Sequence, residues 1–443
     1  MIRPAKRIHG RIRLPGDKSI SHRAAMFAAI ASDVSHLNNY STSADCAATL
    51  SCLEKLGVRI ERHTSDILIH GAGLDGLSAP DGPLDCGNSG TTMRLLAGIL
   101  AGHDFVSSLT GDESLRSRPM QRIIEPLEMM GAEISSSDGR APLRIRGATL
   151  KPIDYELLTA SAQVKSCILL AGLHAEGRTT VIENEVTRDH TERMLAWFGA
   201  PVETGKAERE GARFAAVTGP AQLQARDVFI PGDISSAAYF VAAAALLPGS
   251  SLQIDDAGIN PTRIGFLGQL RSIGFEITVM NEREEINEPR GDIFVRASSP
   301  DIKTPFRIDG AIIPQLIDEL PLLAVVGSQI EGGVEIRDAK ELRVKESDRI
   351  SSSVAGLRSM GCEVEEFDDG LRVNGPTKLR AAKINPRGDH RIAMAFTVAA
   401  LVAEGDSEID HADCVAVSFP EFFGLLESVT ESTSLSLSPW GGK

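Results

Sequence analysis

Five short amphipathic segments of this 443-residue chain end on a glycine followed by a strand-like run: LSCLEKLGVRIE, IIEPLEMMGAEIS, TERMLAWFGAPVE, FLGQLRSIGFEIT and VAGLRSMGCEVE. A glycine just past a helical apolar pattern reads as a C-cap, because it enters the left-handed conformation without a Cβ penalty. The caps are Gly57, Gly131, Gly199, Gly274 and Gly361, so successive steps are 74, 68, 75 and 87 residues, with FPEFFGLLESV as a truncated sixth copy. A second helix type recurs at the same period. It opens on polar or small residues, turns Ala/Leu/Val-rich and stops near a glycine: SISHRAAMFAAIA, SGTTMRLLAGILAG, SAQVKSCILLAGLHAEG, DISSAAYFVAAAALLPG, PQLIDELPLLAVVG and DHRIAMAFTVAALVAEG. A period of about 70 to 85 residues exceeds solenoid repeats and fits a β-α-β-α-β-β unit of an α/β fold. Six units, in a chain too long for one ordinary core, imply two domains of three.

Helices apolar nearly all round belong inside a domain, and amphipathic ones at its surface. If the buried helices run parallel, their N-termini converge and their dipoles add at one end. The polar residues of these helices gather at those ends: Lys18, Arg23, Arg94, Gln163, Lys165, Asp318 and Arg391. Cations at the positive end of a dipole are misplaced unless an anion neutralises them, so the expectation is an anion site.

Composition narrows the ligand. A net charge of -14 disfavours nucleic acid or an anionic membrane as partner, which leaves a basic pocket as a local exception. The six cysteines have no zinc-ligand spacing and read as free thiols of a reducing compartment, with no metal and no cofactor called for. The longest apolar run, Ala237 to Leu247, is about eleven residues and too short to span a bilayer. The basic start MIRPAKRIHGRIR lacks the apolar core of a signal peptide, since Asp17 and Arg23 interrupt the next segment. A cytoplasmic protein is expected.

The motifs agree. GAGLDG (71–76) matches a dinucleotide fingerprint formally, but Pro80 and Pro83 forbid the helix that fingerprint needs. GNSGTTMRLL (87–96) puts Asn88, Ser89, Gly90 and Thr91 at a helix start, where glycine permits close backbone approach to a ligand. SLRSRPM carries Arg116 and Arg118. SAQVKS (161–166) offers hydroxyl, amide and ammonium donors, and LRVKESDRI (342–350) alternates charges. GDHRIAM (388–394) begins a buried helix with three ionisable residues, a costly arrangement unless they bind something.

Taken in order, PGDKSISHR, GNSGTTMR, SLRSRPM, SAQVKS, TRDHTERML, IDELP, LRVKESDR, DHRIAM and SFPEFF closely resemble the EPSP synthases, the 3-phosphoshikimate 1-carboxyvinyltransferases, over nearly the whole chain. The resemblance implies the two-domain enolpyruvyl transferase fold, each domain of three β-α-β-α-β-β units with buried parallel helices and a cleft between. One domain is expected over 16–228, a second over 1–15 plus 229–430, and a flexible tail over 431–443. The implied reaction moves the enolpyruvyl group of phosphoenolpyruvate onto the 5-hydroxyl of shikimate 3-phosphate. These two small molecules would be the partners of a monomer.

By the same resemblance Lys18, Ser19, Arg23, Ser161, Ala162, Gln163, Arg188, Asp318 and Lys345 hold shikimate 3-phosphate. Lys18, Gly90, Arg118, Gln163, Arg349 and Arg391 hold phosphoenolpyruvate. Asp318 and Glu346 would supply base and acid, with Lys18 and Lys345 stabilising phosphate and developing charge. The family is inhibited by glyphosate in competition with phosphoenolpyruvate, near the Gly90 helix head. Many members carry a lysine just before the Thr/Ser-Phe-Pro element, where this chain reads Ala416-Val417-Ser418-Phe419-Pro420; a subgroup shares that lack. Two alternatives differ at sites that can be read. UDP-N-acetylglucosamine enolpyruvyl transferases resemble GAKN at the first helix and carry a loop cysteine, against Gly16-Asp17-Lys18-Ser19 and Glu113-Ser114-Leu115 here. A non-catalytic phosphate-binding protein would have no need of Asp318 and Glu346.

Overall fold

The computed structural model describes residues 1–300 and 305–432. Apart from its first two residues, the expected tail lies outside the described residues. The chain divides into two compact units. Unit I comprises Met1–Leu14, Gly232–Arg283 and the chain from Arg290 onward, and unit II comprises Pro15–Pro231 with Glu284–Pro289.

The cap glycines behave as their sequence context requires. Gly57, Gly131, Gly199, Gly274 and Gly361 have φ of 90°, 114°, 86°, 102° and 94°. After each, the next residue donates its N–H back to a leucine carbonyl: Leu53, Leu127, Leu195, Leu270 and Leu357 respectively. These are Schellman closures, which satisfy otherwise orphaned carbonyls and turn the chain into the following strand.

The repeat extends to the sheets. In unit II, Leu84–Asp85 pairs parallel with Val106–Thr110, which pairs antiparallel with Arg140–Arg146, which in turn pairs antiparallel with Glu133–Ser137. The same order runs through Asp154–Glu156, Gly177–Glu183, Arg213–Gly219 and Val202–Lys206. It recurs in Val228–Phe229, Ala31–Asn38, Asp66–Ala72 and Arg59–His63. Unit I repeats it in Phe306–Ile308, Val334–Ile336, Gly370–Val373 and Val364–Phe367. It also does so from Ala5–Arg13 through Ser251–Gly258 and Glu288–Arg296 to Glu276–Glu285. The last sheet keeps only the parallel pair Lys383–Ile384 and Glu408–Ile409. Its amphipathic helix, Phe422–Val429, is followed by Thr430–Ser432, which pairs with Ala5–Arg13 instead of forming a hairpin. That is the physical form of the truncated sixth copy.

Nine helices position the polar residues singled out by sequence: α1 (Lys18–Ile30), α2 (Ala44–Lys55), α3 (Gly90–Leu100), α4 (Ala162–Gly172), α5 (His190–Trp197), α6 (Ile234–Leu246), α7 (Leu320–Gly327), α8 (Arg349–Ser359) and α9 (His390–Leu401). α1 is buried from Ile20 to Ile30, α6 from Ile234 to Ala245, and α7 and α9 along their whole length. Seven of the nine are started by a side chain that accepts a backbone N–H at the cap, among them Asp17, Ser89, Ser161, Asp348 and Asp389. Among the described residues no single helix is long and apolar enough to cross a membrane.

At the far ends of α3 and α4 the buried His103 meets His174, whose side chain is 3% exposed, with ring centroids 5.1 Å apart. Burial, reinforced by the neighbouring His103, pushes His174 down from 6.5 to about 4. A histidine depressed in the folded state stays neutral there while the unfolded chain takes up its proton, so stability is present above pH 6.5 and lost as pH falls towards 4. Urea unfolding should therefore show a loss of about 2 kcal/mol between about pH 7 and pH 5 from this group. His174→Gln should lose measurably less over the same interval; an identical loss would assign the acid sensitivity elsewhere.

Candidate active site

Unit II gathers the heads of three buried helices. Gln163, the second residue of α4, donates its amide to the Thr91 hydroxyl at 2.8 Å, and its amide oxygen accepts from Arg94 Nη1 at 2.7 Å, so the starts of α3 and α4 lie side by side. Arg23 ties α1 to the same cluster. Its guanidinium donates to the Thr191 hydroxyl of α5 (2.7 Å), the Ser166 hydroxyl of α4 (2.9 Å) and the Ser19 carbonyl (3.0 Å). Burial pushes its pKa down to about 10, with Glu192 acting in the opposite sense. At pH 7 it stays charged.

Lys18 Nζ lies 2.7 Å from Asp45 Oδ2 of α2. Arg118 is buried and donates to the Asn88 side-chain oxygen at 2.8 Å, which holds it against the α3 head. A Cβ placed on Gly90 would lie 2.6 Å from Arg94 Nη1 and 3.5 Å from Arg118 Nη1. The absence of a side chain at Gly90 thus lets two guanidinium groups approach one helix start. Ser19, Ser161, Ala162 and Arg188 are half-buried around these heads, with Arg188 close enough to Arg23 to disfavour its charge. Arginines, hydroxyls and helix N–H groups concentrated in this way suit a ligand with several anionic oxygens.

One donor expected here faces elsewhere. Lys165 is fully buried, and its ammonium is enclosed by Glu183 (3.1 Å) and Glu192 (2.7 Å). Burial opposes its charge, but the two glutamates prevail and its pKa is raised. Glu183 also accepts from the Thr187 hydroxyl at 2.6 Å, next to Arg188. Lys165 therefore supports the wall behind the site, because a helix whose fourth residue turns inward cannot present that residue at its head.

Unit I holds a cage of carboxylates of its own. Arg349, at the start of α8, is 1% exposed and pairs with Glu346 (2.6 Å), Asp389 (2.9 Å) and Asp318 (3.2 Å). Burial opposes its charge, yet Asp389, Glu346 and Asp318 together outweigh that and raise its pKa. Arg391, in the first turn of α9, lies 3.9 Å from Asp318 and 3.7 Å from Glu319. Its pKa is likewise raised against burial, with Tyr239 of α6 the strongest supporting neighbour. Lys345 follows a 3-10 turn and keeps 28% of its side chain exposed, 3.7 Å from Glu341. Desolvation by its surroundings still lowers its pKa, which makes it a readier proton donor than a surface lysine.

The structure thus joins Asp318, Glu346, Arg349 and Arg391 within unit I, and Arg23, Gln163, Gly90 and Arg118 around helix heads of unit II. Sequence reasoning does not reach Asp45, Glu192, Glu319 and Tyr239. Asp45 reads in sequence as a first-turn helix residue, and Tyr239 as core, so neither carries a local signal. Among the described residues no group of three or more His, Cys, Asp or Glu side chains is arranged to hold a metal ion.

A sequence profile of the EPSP synthase (3-phosphoshikimate 1-carboxyvinyltransferase) family matches residues 2–426. The chain is similar to the 3-phosphoshikimate 1-carboxyvinyltransferase of Koribacter versatilis, with 51% identity over 97% of this chain and 99% of that one. The protein of the same name from Bacillus subtilis is 46% identical over 96% and 98%. Among solved structures, EPSP synthase from Acinetobacter baumannii superposes with a TM-score of 0.85 at 41% identity, covering 98% of both chains. The enolpyruvyl transferase NikO from Streptomyces tendae, at 18% identity and 97% coverage of both, shares the fold with a TM-score of 0.79.

Proposed function

The chain belongs to the EPSP synthase family, and from that membership we propose that the residues described above carry out the family's reaction in defined roles. The protein is a transferase that moves the enolpyruvyl group of phosphoenolpyruvate onto the 5-hydroxyl of shikimate 3-phosphate and releases phosphate. The two-domain enolpyruvyl transferase fold goes with it.

In this reading Arg23, Ser19, Ser161, Ala162, Gln163 and Arg188 hold shikimate 3-phosphate. Asp318 and Lys345 also contact shikimate 3-phosphate. Gly90, Arg118, Arg349 and Arg391 hold phosphoenolpyruvate, and Lys18 and Gln163 serve both ligands. The observation that carries the chemistry is the pair of bonds from one buried guanidinium, Arg349, to Asp318 and Glu346, because it keeps two carboxylates side by side. One takes the proton of the 5-hydroxyl as its oxygen bonds to the central carbon of phosphoenolpyruvate. The other, together with Lys345, supplies a proton to the methylene carbon, which gives a tetrahedral intermediate. The group that delivered that proton then takes one back from the methyl carbon, the double bond re-forms, and the carbon–oxygen bond to phosphate breaks with its electron pair leaving on phosphate. Lys18 and the arginines stabilise the departing charge. Because Asp318 and Glu346 share one cation, their protons are coupled and belong to the pair.

The resemblance supports a monomer, and the resemblance together with the free cysteines supports a cytoplasmic enzyme. A direct test is phosphate release from phosphoenolpyruvate. It should be readily measured with shikimate 3-phosphate and at least about a hundred-fold slower without it, since the attacking hydroxyl is then missing. Phosphate release independent of shikimate 3-phosphate, or supported instead by UDP-N-acetylglucosamine, would refute the assignment.

A further inference from the structure

His22 is a buried titratable group that the reaction leaves unused. It lies in the second turn of α1, and with Thr49, Thr92 and Ser89 it forms an unbroken chain in which no residue is more than 2% exposed. His22 Nδ1 is 2.6 Å from the Thr49 hydroxyl of α2, which is 2.7 Å from the Thr92 hydroxyl of α3. The Thr92 hydroxyl donates to the Ser89 hydroxyl at 2.8 Å, and the Thr92 N–H donates to the same oxygen at 3.1 Å. His22 Nε2 is buried without a hydrogen-bond partner.

Counting protons gives the chain a direction. A hydroxyl has one proton to donate. Thr92 gives its own to Ser89 at 2.8 Å and not to His22 Nδ1, which lies at the long distance of 3.5 Å, so the contact between Thr92 and Thr49 is a donation from Thr49. Thr49 is then spent, and the contact with His22 must be a donation from Nδ1–H. The imidazole is therefore the Nδ1–H tautomer, and bare Nε2 is the nitrogen left without a partner. Burial, aided by Lys18 and Arg23, keeps the ring uncharged. Ser89 receives two donors from the first turn of α3 and is the N-cap that sets the backbone direction of Gly90 and Thr91.

We propose that His22 is a positioning residue for phosphoenolpyruvate: through the Thr49 and Thr92 hydroxyls it fixes the Ser89 cap and so aims the N–H groups at the head of α3. The proposal rests on the reading that the α3 head holds phosphoenolpyruvate. It explains why a polar ring occupies a position of α1 with no solvent and no ligand contact. An apolar residue would leave Thr49 without its donor, and the hydroxyl protons would be free to reverse.

Thr49→Val removes the middle of the chain at nearly constant volume, and Thr49→Ser keeps it. The valine variant should raise the KM for phosphoenolpyruvate about five-fold, the effect of one lost buried hydrogen bond. The KM for shikimate 3-phosphate should stay within about two-fold, and the serine variant should stay near wild type in both. A folded valine variant with neither KM changed, or with both raised equally, overturns the proposal. Arg118→Ala separates this from the underlying reading. If it raises the KM for phosphoenolpyruvate while Thr49→Val does not, only the relay falls; if it does not, the assignment of the α3 head falls and the relay with it. A readout on the unaltered protein covers a valine variant that fails to fold. In 15N-labelled wild type the His22 ring should show a protonated Nδ1 and a bare Nε2, and an Nε2–H ring overturns the proposal.

Discussion

Glu346→Gln and Asp318→Asn are each expected to lower turnover by about a hundred-fold or more, because each removes a group to which the proposed mechanism gives a proton-transfer step. The cage around Arg349 makes these clean variants. Three carboxylates, from Asp318, Glu346 and Asp389, surround that guanidinium, so neutralising one leaves it facing two. An amide also keeps an oxygen of similar position to accept the arginine N–H. The buried cation is thus neither unpaired nor without acceptors, and the large penalty for stranding a buried charge does not arise. Turnover measured by phosphate release, alongside calorimetric binding of shikimate 3-phosphate, checks this. Near wild-type turnover would remove that residue from the proton-transfer step. An equal loss of turnover and of shikimate 3-phosphate binding would instead make it a binding residue.

Gly90→Ala should weaken glyphosate much more than phosphoenolpyruvate. The structure identifies what a methyl group meets. Its nearest neighbour is Arg94 Nη1 at 2.6 Å, a separation that cannot persist, and Arg94 is itself bonded to Gln163. The arginine has to shift, and with it the amide that lies against the α3 head. An inhibitor slightly longer than the substrate then encounters both the methyl group and a displaced guanidinium. Overlap in a packed site costs about 1–3 kcal/mol, or about five- to 150-fold in affinity. Phosphoenolpyruvate is shorter and feels chiefly the movement of Gln163, so its KM should rise by less than about ten-fold. Inhibition constants and Michaelis constants for both proteins decide the matter. Equal changes in the two, or no inhibition of the wild type, would refute this expectation. The wild type is expected to be inhibited even though Val417 stands where many relatives carry a lysine.

Several features of this protein are determined by its sequence alone, because their causes are local. A glycine after an apolar helical stretch closes a helix whatever surrounds it, and five such glycines at nearly even spacing are enough to show a repeated unit. Helices apolar on every side have to be interior, and α1, α6, α7 and α9 are. The motifs that mark the family are contiguous strings, and they single out Asp318, Glu346, Arg349 and Arg391 without any geometry.

Only tertiary structure decided what those residues touch. Lys165 and Gln163 stand two positions apart at the start of one helix, yet one turns to Glu183 and Glu192 and the other to Thr91 and Arg94. Their periodicity is shared, and the rotation of the helix about its axis, which separates them, depends on neighbours from other repeats. Arg23 reaches Ser166 across 143 residues of sequence, and Arg349 reaches Asp389 across 40. The chain of hydroxyls from His22 to Ser89 draws on three helices, and its direction follows from a count of protons that no segment contains by itself. A buried charge or hydroxyl is satisfied by whichever partner the packing brings near, and packing is a property of the whole core.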